Sequence, residues 1–201
     1  MKSLLLGAVA VLALSSAAHA SIIPSLDSVT AEGSDFRFNY SAQLAPDQGV
    51  TAGSSVVIVD FAGYVPGSVL STLPNVSASV SNTLPGNLLL TPGFVDNAAI
   101  PDLVFTYNGP DFQTSGGPFV SLTTLAGLSA LSIYGDSDFG AFSAVAVRNA
   151  GTTTGTLAYN VGQVSVPSPV PEPASWALFL TGFTGLGIML RRRRTAPIRC
   201  A

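Results

Sequence analysis

Asp35-Phe36-Arg37-Phe38-Asn39-Tyr40-Ser41-Ala42-Gln43-Leu44 is the stretch that decides the fold class. Phe36, Phe38, Tyr40, Ala42 and Leu44 occupy one side of a period-two repeat, and Arg37, Asn39, Ser41 and Gln43 occupy the other. Successive side chains of an extended chain point to opposite faces, so this is a strand with one face buried and one face wet.

Working outward, Ser54 to Val65 contains Val56-Val57-Ile58-Val59, a β-branched apolar run bounded by Gly53 and by Gly63 and Pro66-Gly67. A run without alternation, closed off by turn residues, reads as a central strand. Val76, Ala78 and Val80 alternate, as do Leu103, Phe105 and Tyr107, and Phe142 to Arg148 and Leu157 to Val166 supply two late strands. Turn chemistry separates them at Pro85-Gly86, Pro92-Gly93, Asn108-Gly109-Pro110, Gly116-Gly117-Pro118 and Asn149-Ala150-Gly151. Leu122 to Leu131 stays open between a short helix and a strand, because its Thr and Gly content weakens a helix. The expectation is an all-β domain over residues 21–165, a two-sheet β-sandwich of jelly-roll-like form. Phe36, Phe38, Ile58, Phe61, Phe105, Ile133, Phe142 and Tyr159 are its core candidates.

The two ends differ from this domain. Met1-Lys2-Ser3 gives a cationic start, Leu4 to Leu14 is apolar throughout, and Ala18 and Ala20 are the small residues a signal peptidase reads. The apolar run is too short to span a bilayer, which needs about 20 residues. Residues 1–20 are therefore expected to be a signal peptide cut after Ala20 by signal peptidase. Ser21 at the cut, in place of cysteine, excludes N-terminal lipid anchoring.

Val166 to Pro173 carries four prolines in eight residues. Proline fixes φ and lacks an amide donor, so residues 166–173 read as an extended, exposed linker. Residues 174–190 carry no charge, and Arg191, Arg192, Arg193 and Arg194 follow. As a helix that stretch is about 25 Å long, slightly less than a hydrocarbon core of roughly 30 Å, and snorkelling arginines make up the difference. The positive-inside rule then leaves residues 191–201 cytoplasmic and the domain outside. Trp176 falls at the interfacial belt, and Gly182, Gly185 and Gly187 either open a smooth face for a neighbouring helix or reflect only that glycine is commoner in membrane helices.

Pro171-Glu172-Pro173-Ala174-Ser175-Trp176-Ala177, the glycine-containing apolar span and the arginine cluster together resemble the PEP-CTERM sorting signal of Gram-negative bacteria, in its Pro-Glu-Pro-x-x-Trp-Ala variant. The resemblance covers about the last thirty residues. It implies recognition by an exosortase, a membrane-embedded cysteine transpeptidase-like enzyme that cleaves at or near Pro171-Glu172-Pro173 and releases or transfers the product. Such systems commonly accompany exopolysaccharide production, so exopolysaccharide is an implied partner. Asp60-Phe61-Ala62-Gly63-Tyr64-Val65-Pro66-Gly67-Ser68 and a late Asn160-Val161-Gly162 strand are also similar to exported domains found ahead of this signal, with no activity to transfer.

Chemistry is sparse in the exported part. The only His (His19) and the only Lys (Lys2) leave with the signal peptide, and the only cysteine is Cys200. Residues 21–170 hold ten acids against Arg37 and Arg148, a net charge of −8. Two arginines make no basic face, which excludes nucleic acid as a partner. Serine catalysis lacks its base, and histidine or cysteine metal sites are impossible. No pair of carboxylates is singled out for glycoside hydrolysis, so no enzyme and no cofactor are expected. Gly135-Asp136-Ser137-Asp138 gathers oxygen ligands of the kind calcium takes, but calcium wants six or more, and a solvated turn is the expectation.

Two roles follow. The first is a structural, matrix- or exopolysaccharide-associated surface protein, inner-membrane-anchored with a periplasmic domain before processing and at the cell surface or outside afterwards. The alternative is a carbohydrate-binding module with Tyr64, Tyr107 or Tyr134 as stacking platforms, since an aromatic ring offers an apolar face and a polar tip.

Overall fold

The alternating stretch Asp35–Leu44 forms a strand, β2, with Phe38, Tyr40, Ala42 and Leu44 buried. The computed structural model describes residues 22–86, 88–113, 123–149, 153–169 and 184. In chain order the other strands are β1 (Ile22–Glu32), β3 (Gln48–Val50), β4 (Ser55–Ile58), β5 (Leu70–Ser71), β6 (Val76–Ser81), β7 (Asp102–Tyr107), β8 (Phe112–Gln113), β9 (Thr123–Ser132), β10 (Ser137–Arg148) and β11 (Leu157–Pro167).

They make two antiparallel sheets. The first has the order β1-β2-β9-β5; the second runs β6-β7-β4-β10-β3-β8, with β11 paired to β10. One apolar cluster joins the two: Phe38, Tyr40, Leu44, Leu128 and Ala130 come from the first sheet, and Val56, Ile58, Leu103, Phe105, Phe142, Ala144 and Val164 from the second. Phe38 meets Phe61 edge-on, with ring centroids 5.6 Å apart at 83°. Tyr40 is buried with them, and its hydroxyl donates to the Ser165 carbonyl oxygen at 2.9 Å, which ties β2 to β11 across the core. Burial pushes that hydroxyl's pKa up, so it acts as a neutral donor.

The unbroken run of β4 has its own explanation. Val56 and Ile58 face the shared cluster, while Val57 and Val59 face a second cluster with Val104 and Ala141. Leu84, Leu88, Leu90 and Phe94 cover this second cluster. They belong to residues 82–101, the connection from β6 to β7, whose described residues form no helix or strand. β4 lies between β7 and β10 and is apolar on both faces because both faces are covered.

Leu122 to Leu131 resolves as strand over its described part, within β9. The register against β2 slips between Tyr40/Leu128 and Ser41/Ala126, leaving Gly127 as the extra residue, with φ of 115°. A glycine with positive φ suits such a β-bulge, and the bulge breaks the alternation that would mark the strand.

Four sequence expectations change. Ile133 is 56% exposed, because β9 turns Leu128, Ala130 and Ser132 inward and the next odd position falls on the outer side. Tyr159 is 37% exposed: the inward positions of β11 are Ala158, Val164 and Val166, which puts Tyr159 on the outer face. Phe36 is partly buried and packs on the margin of the core. Val166 and Pro167 are buried members of β11 rather than exposed linker. Pro167 is accepted there because it is the last residue of its strand, where a missing ladder donor matters least.

Among the described residues, no helix is long and apolar enough to cross a membrane. The signal peptide, the helix expected over 174–190 except for Thr184, which is helical, and the arginine tail lie outside the described residues.

Candidate functional site

Three carboxylates meet where β4 leaves the second sheet and β7 enters it. Asp60 lies just past β4, Asp102 opens β7, and Asp96 stands near the end of the covering segment. One oxygen from each lies within 4.8 Å of the others.

Backbone geometry builds the corner. Asp60 adopts φ of 56°, a left-handed conformation that Asp tolerates better than most residues. Its N–H donates to Asp102 Oδ1 at 2.9 Å, and the Phe61 N–H donates to the Pro101 carbonyl at 2.8 Å. Asp60 Oδ1 accepts from the Asn97 N–H at 3.1 Å, and Asp96 Oδ2 accepts from the Leu84 N–H at 2.9 Å. Asp96 thus closes the covering segment on itself, and Asp60 holds its returning end.

The remaining oxygens have less company. Asp102 is fully buried and its Oδ2 has no hydrogen-bond partner; Asp96 Oδ1 is likewise buried and unpartnered. Burial pushes the Asp102 carboxyl up to about 6, opposed by the Asp60 N–H and reinforced by the charges of Asp96 and Asp60. Burial also raises Asp60, which the Asn97 N–H counters in part.

Asp136 and Asp138, the sequence's calcium candidates, are exposed. The Asp136 carbonyl accepts from the Ser168 N–H at 2.9 Å, and Asp138 Oδ1 accepts from the N–H of Phe139 at 2.7 Å, as a turn would have it. The structure instead gathers three acids spread over forty-two positions of sequence. A signal was present: Asp60 directly follows an apolar β-branched run, and Asp102 directly precedes Leu103-Val104-Phe105, where an acid cannot stay in water.

The tyrosines proposed as platforms are half-buried. Tyr64 packs on the core and meets Phe61 edge-on at 6.4 Å, and its hydroxyl oxygen accepts from the Gly67 N–H at 3.1 Å. Tyr107 donates to the Pro110 carbonyl at 2.7 Å. The Tyr134 ring lies over Gly63, where a Cβ would meet its Cδ2 at 2.6 Å. An apolar cavity of about 320 Å³ opens beside Tyr107, between Ile22, Val56, Leu73, Phe105 and Leu128.

At the other end of the domain, β11 delivers the chain to Ser168 and Pro169. From there a comparison with protein-family models decides the reading. Residues 169–194 match the PEP-CTERM protein-sorting motif. The matched range contains Pro171, Glu172, Pro173, Trp176, Ala177, Gly182, Gly185, Gly187 and Arg191 to Arg194, all outside the described residues. Ala18 and Ala20 also lie outside them. A PEP-CTERM motif marks an exported protein with a membrane-anchored sorting signal that an exosortase processes. No curated protein and no solved structure matches the chain.

Proposed function

We propose that this chain is an exosortase substrate whose product is a structural surface protein of the extracellular matrix, associated with exopolysaccharide. The observation that carries the reading is the sorting motif match beginning at Pro169, two residues after β11 ends. The β domain, read as a jelly-roll-like β-sandwich, is the cargo. Signal peptidase removes residues 1–20 after Ala20, and a single helix over 174–190 holds the precursor in the inner membrane with the domain in the periplasm. Arg191 to Arg194 stay inside.

Each part of the tail has a physical task. Pro171 lies four residues beyond the end of β11. An extended proline-rich chain rises about 3.1 Å per residue, so a linker of four such residues would give the scissile region a reach of up to roughly 12 Å. Pro171 and Pro173 keep that region extended, and Glu172 supplies its charge. Trp176 and the arginines fix its depth at the membrane surface. Gly182, Gly185 and Gly187 give the enzyme's own helices a smooth face to approach.

A non-catalytic role fits the residue supply. Residues 21–170 have no His, Lys or Cys. The half-buried tyrosines, with two hydroxyls engaged internally, support the structural role over sugar stacking.

Intact mass of the protein from cells with and without exosortase tests the assignment. The expected result is a chain shortened to an end between Val170 and Trp176 only where exosortase is present. An unprocessed C-terminus in both would leave a plain single-span anchor and end the sorting proposal.

A further inference from the structure

We propose that Asp60, Asp96 and Asp102 form a divalent-cation site that takes Ca²⁺. The inference concerns the folded domain and does not depend on how the tail is processed.

The oxygens have the right spacing. Two ligands on a calcium ion, at about 2.3–2.6 Å each, can stand up to roughly 5 Å apart, and one oxygen from each carboxylate lies within 4.8 Å of the others. A set made only of carboxylates selects a hard cation over zinc or copper, which favour imidazole and thiolate. Calcium takes flexible, irregular oxygen shells, whereas magnesium demands a tight octahedron. The corner, assembled from a strand end, a strand start and a loop, offers the former.

The second observation is the orphaned oxygens. Asp102 is 0% exposed with Oδ2 unpartnered, and Asp96 Oδ1 is buried without a partner. A buried carboxylate oxygen without a donor is costly, and a cation is the partner that satisfies several at once.

No side chain of the domain can supply that cation. Among the described residues the cationic groups are Arg37 and Arg148. Arg37 is held by Glu32 on the first sheet, through Nε to Oε2 and through its terminal amine to Oε1 at 3.0 Å. Arg148 ends β10, seven residues beyond Ala141, whose carbonyl accepts from the Val59 N–H beside Asp60. At about 3.3 Å per residue that is roughly 23 Å away.

The site also has a structural purpose. Residues 82–101 form a long connection whose described residues make no helix or strand, and such segments in a compact domain need anchoring or carry function. An ion held by Asp96 from the segment and by Asp60 and Asp102 from β4 and β7 would pin its end to the sheet it covers. Extracellular calcium modules bind in the range of about 10⁻⁴ to 10⁻³ M, which suits a domain outside the cell.

The test is thermal unfolding of the full chain in detergent at neutral pH, in millimolar CaCl₂ and in EDTA, with calorimetric titration of CaCl₂ alongside. Saturating calcium should raise Tm by about 5 °C, and the titration should give one ion per chain. Asp96→Asn should abolish both effects, while Asp136→Asn/Asp138→Asn should leave both intact. Asp96 lies outside the strand ladders, so its variant should fold; if it does not, the wild-type titration and the Asp136→Asn/Asp138→Asn control still decide. Absence of calcium binding by the wild type would overturn the site. So would binding that survives Asp96→Asn or disappears with Asp136→Asn/Asp138→Asn. A full Tm rise with MgCl₂ alone would overturn the choice of ion.

Discussion

The two apolar clusters of this domain are held in different ways. The cluster between the sheets is enclosed by strands whose ladders fix its walls, with β10 and β11 paired continuously from Ser137↔Pro167 to Val147↔Leu157. The outer cluster is enclosed on one side by the β7-β4-β10 surface and on the other by residues 82–101, a segment without a ladder. Its hold on the sheet comes from single hydrogen bonds: the Thr91 hydroxyl to the Gly162 carbonyl, the Asn97 N–H to Asp60, and the Phe61 N–H to the Pro101 carbonyl, while the Leu84 N–H to Asp96 closes the segment on itself. A ladder spreads its loss over many bonds, whereas a cap held by hooks opens when one is removed. The domain should therefore have one globally stable half and one locally adjustable lid.

The largest way to break this contrast is Phe38→Ala. Phe38 is fully buried and stacks edge-on with Phe61, so its removal leaves a cavity that ladder-fixed walls cannot fill. A loss of about 3–5 kcal/mol is expected, read as a lower denaturant midpoint in equilibrium unfolding. Phe94→Ala, a partly buried cap residue of the same type, should cost less than half as much. Equal losses would mean that the cap is as integral as the core.

The acidic corner gives a smaller effect with a definite sign. Burial raises the Asp102 carboxyl from 3.8 in the unfolded chain to about 6, so the folded state holds its proton more tightly. Below about pH 4 the group is neutral in both states and carries no penalty. As pH rises from about 4 to 6 the unfolded chain sheds this proton freely while the folded state, with the acid buried beside Asp60 and Asp96, retains it, and stability is lost. With EDTA present, urea melts should show a decline on the order of 1–2 kcal/mol across that window, and Asp102→Asn should flatten it. The exposed Glu32, whose carboxyl Arg37 holds below its usual value, works in the opposite sense as pH falls.

Local period explains which of these features the sequence displayed. β2 and β4 were legible because one alternates against a single core and the other is apolar toward two. β1 was not: Pro24 interrupts it, and the register shift between Leu26 and Ser28 leaves Asp27 as an extra residue, which scrambles its parity. Gly127 did the same to β9. Tyr159 reads as core by its aromatic character, but the parity that Ala158 and Val164 establish turns it outward. The sorting motif was legible as text, since its order of prolines, apolar span and arginines is contiguous and residues 169–194 match it. The acidic corner was legible only one acid at a time: the apolar runs beside Asp60 and Asp102 mark each as buried, but the two meet Asp96 only when the covering segment folds back, an approach that sequence spacing does not record.

The finest probe of the lid is Thr91. Its hydroxyl donates to the Gly162 carbonyl at 2.8 Å, joining the middle of the covering segment to β11. Thr91→Val keeps the side-chain shape and removes the donor, so the Gly162 carbonyl is left to water or to nothing. A net loss of about 1 kcal/mol is expected. Its distribution matters more than its size. Amide exchange should accelerate at Leu88 and Phe94, whose N–H groups donate within the segment to Pro85 and Thr91. Exchange along β10 should stay unchanged, because those amides are released only when the sheets themselves come apart. Acceleration spread evenly over both would mean that the segment unfolds with the two sheets, and that the outer cluster is part of one cooperative core.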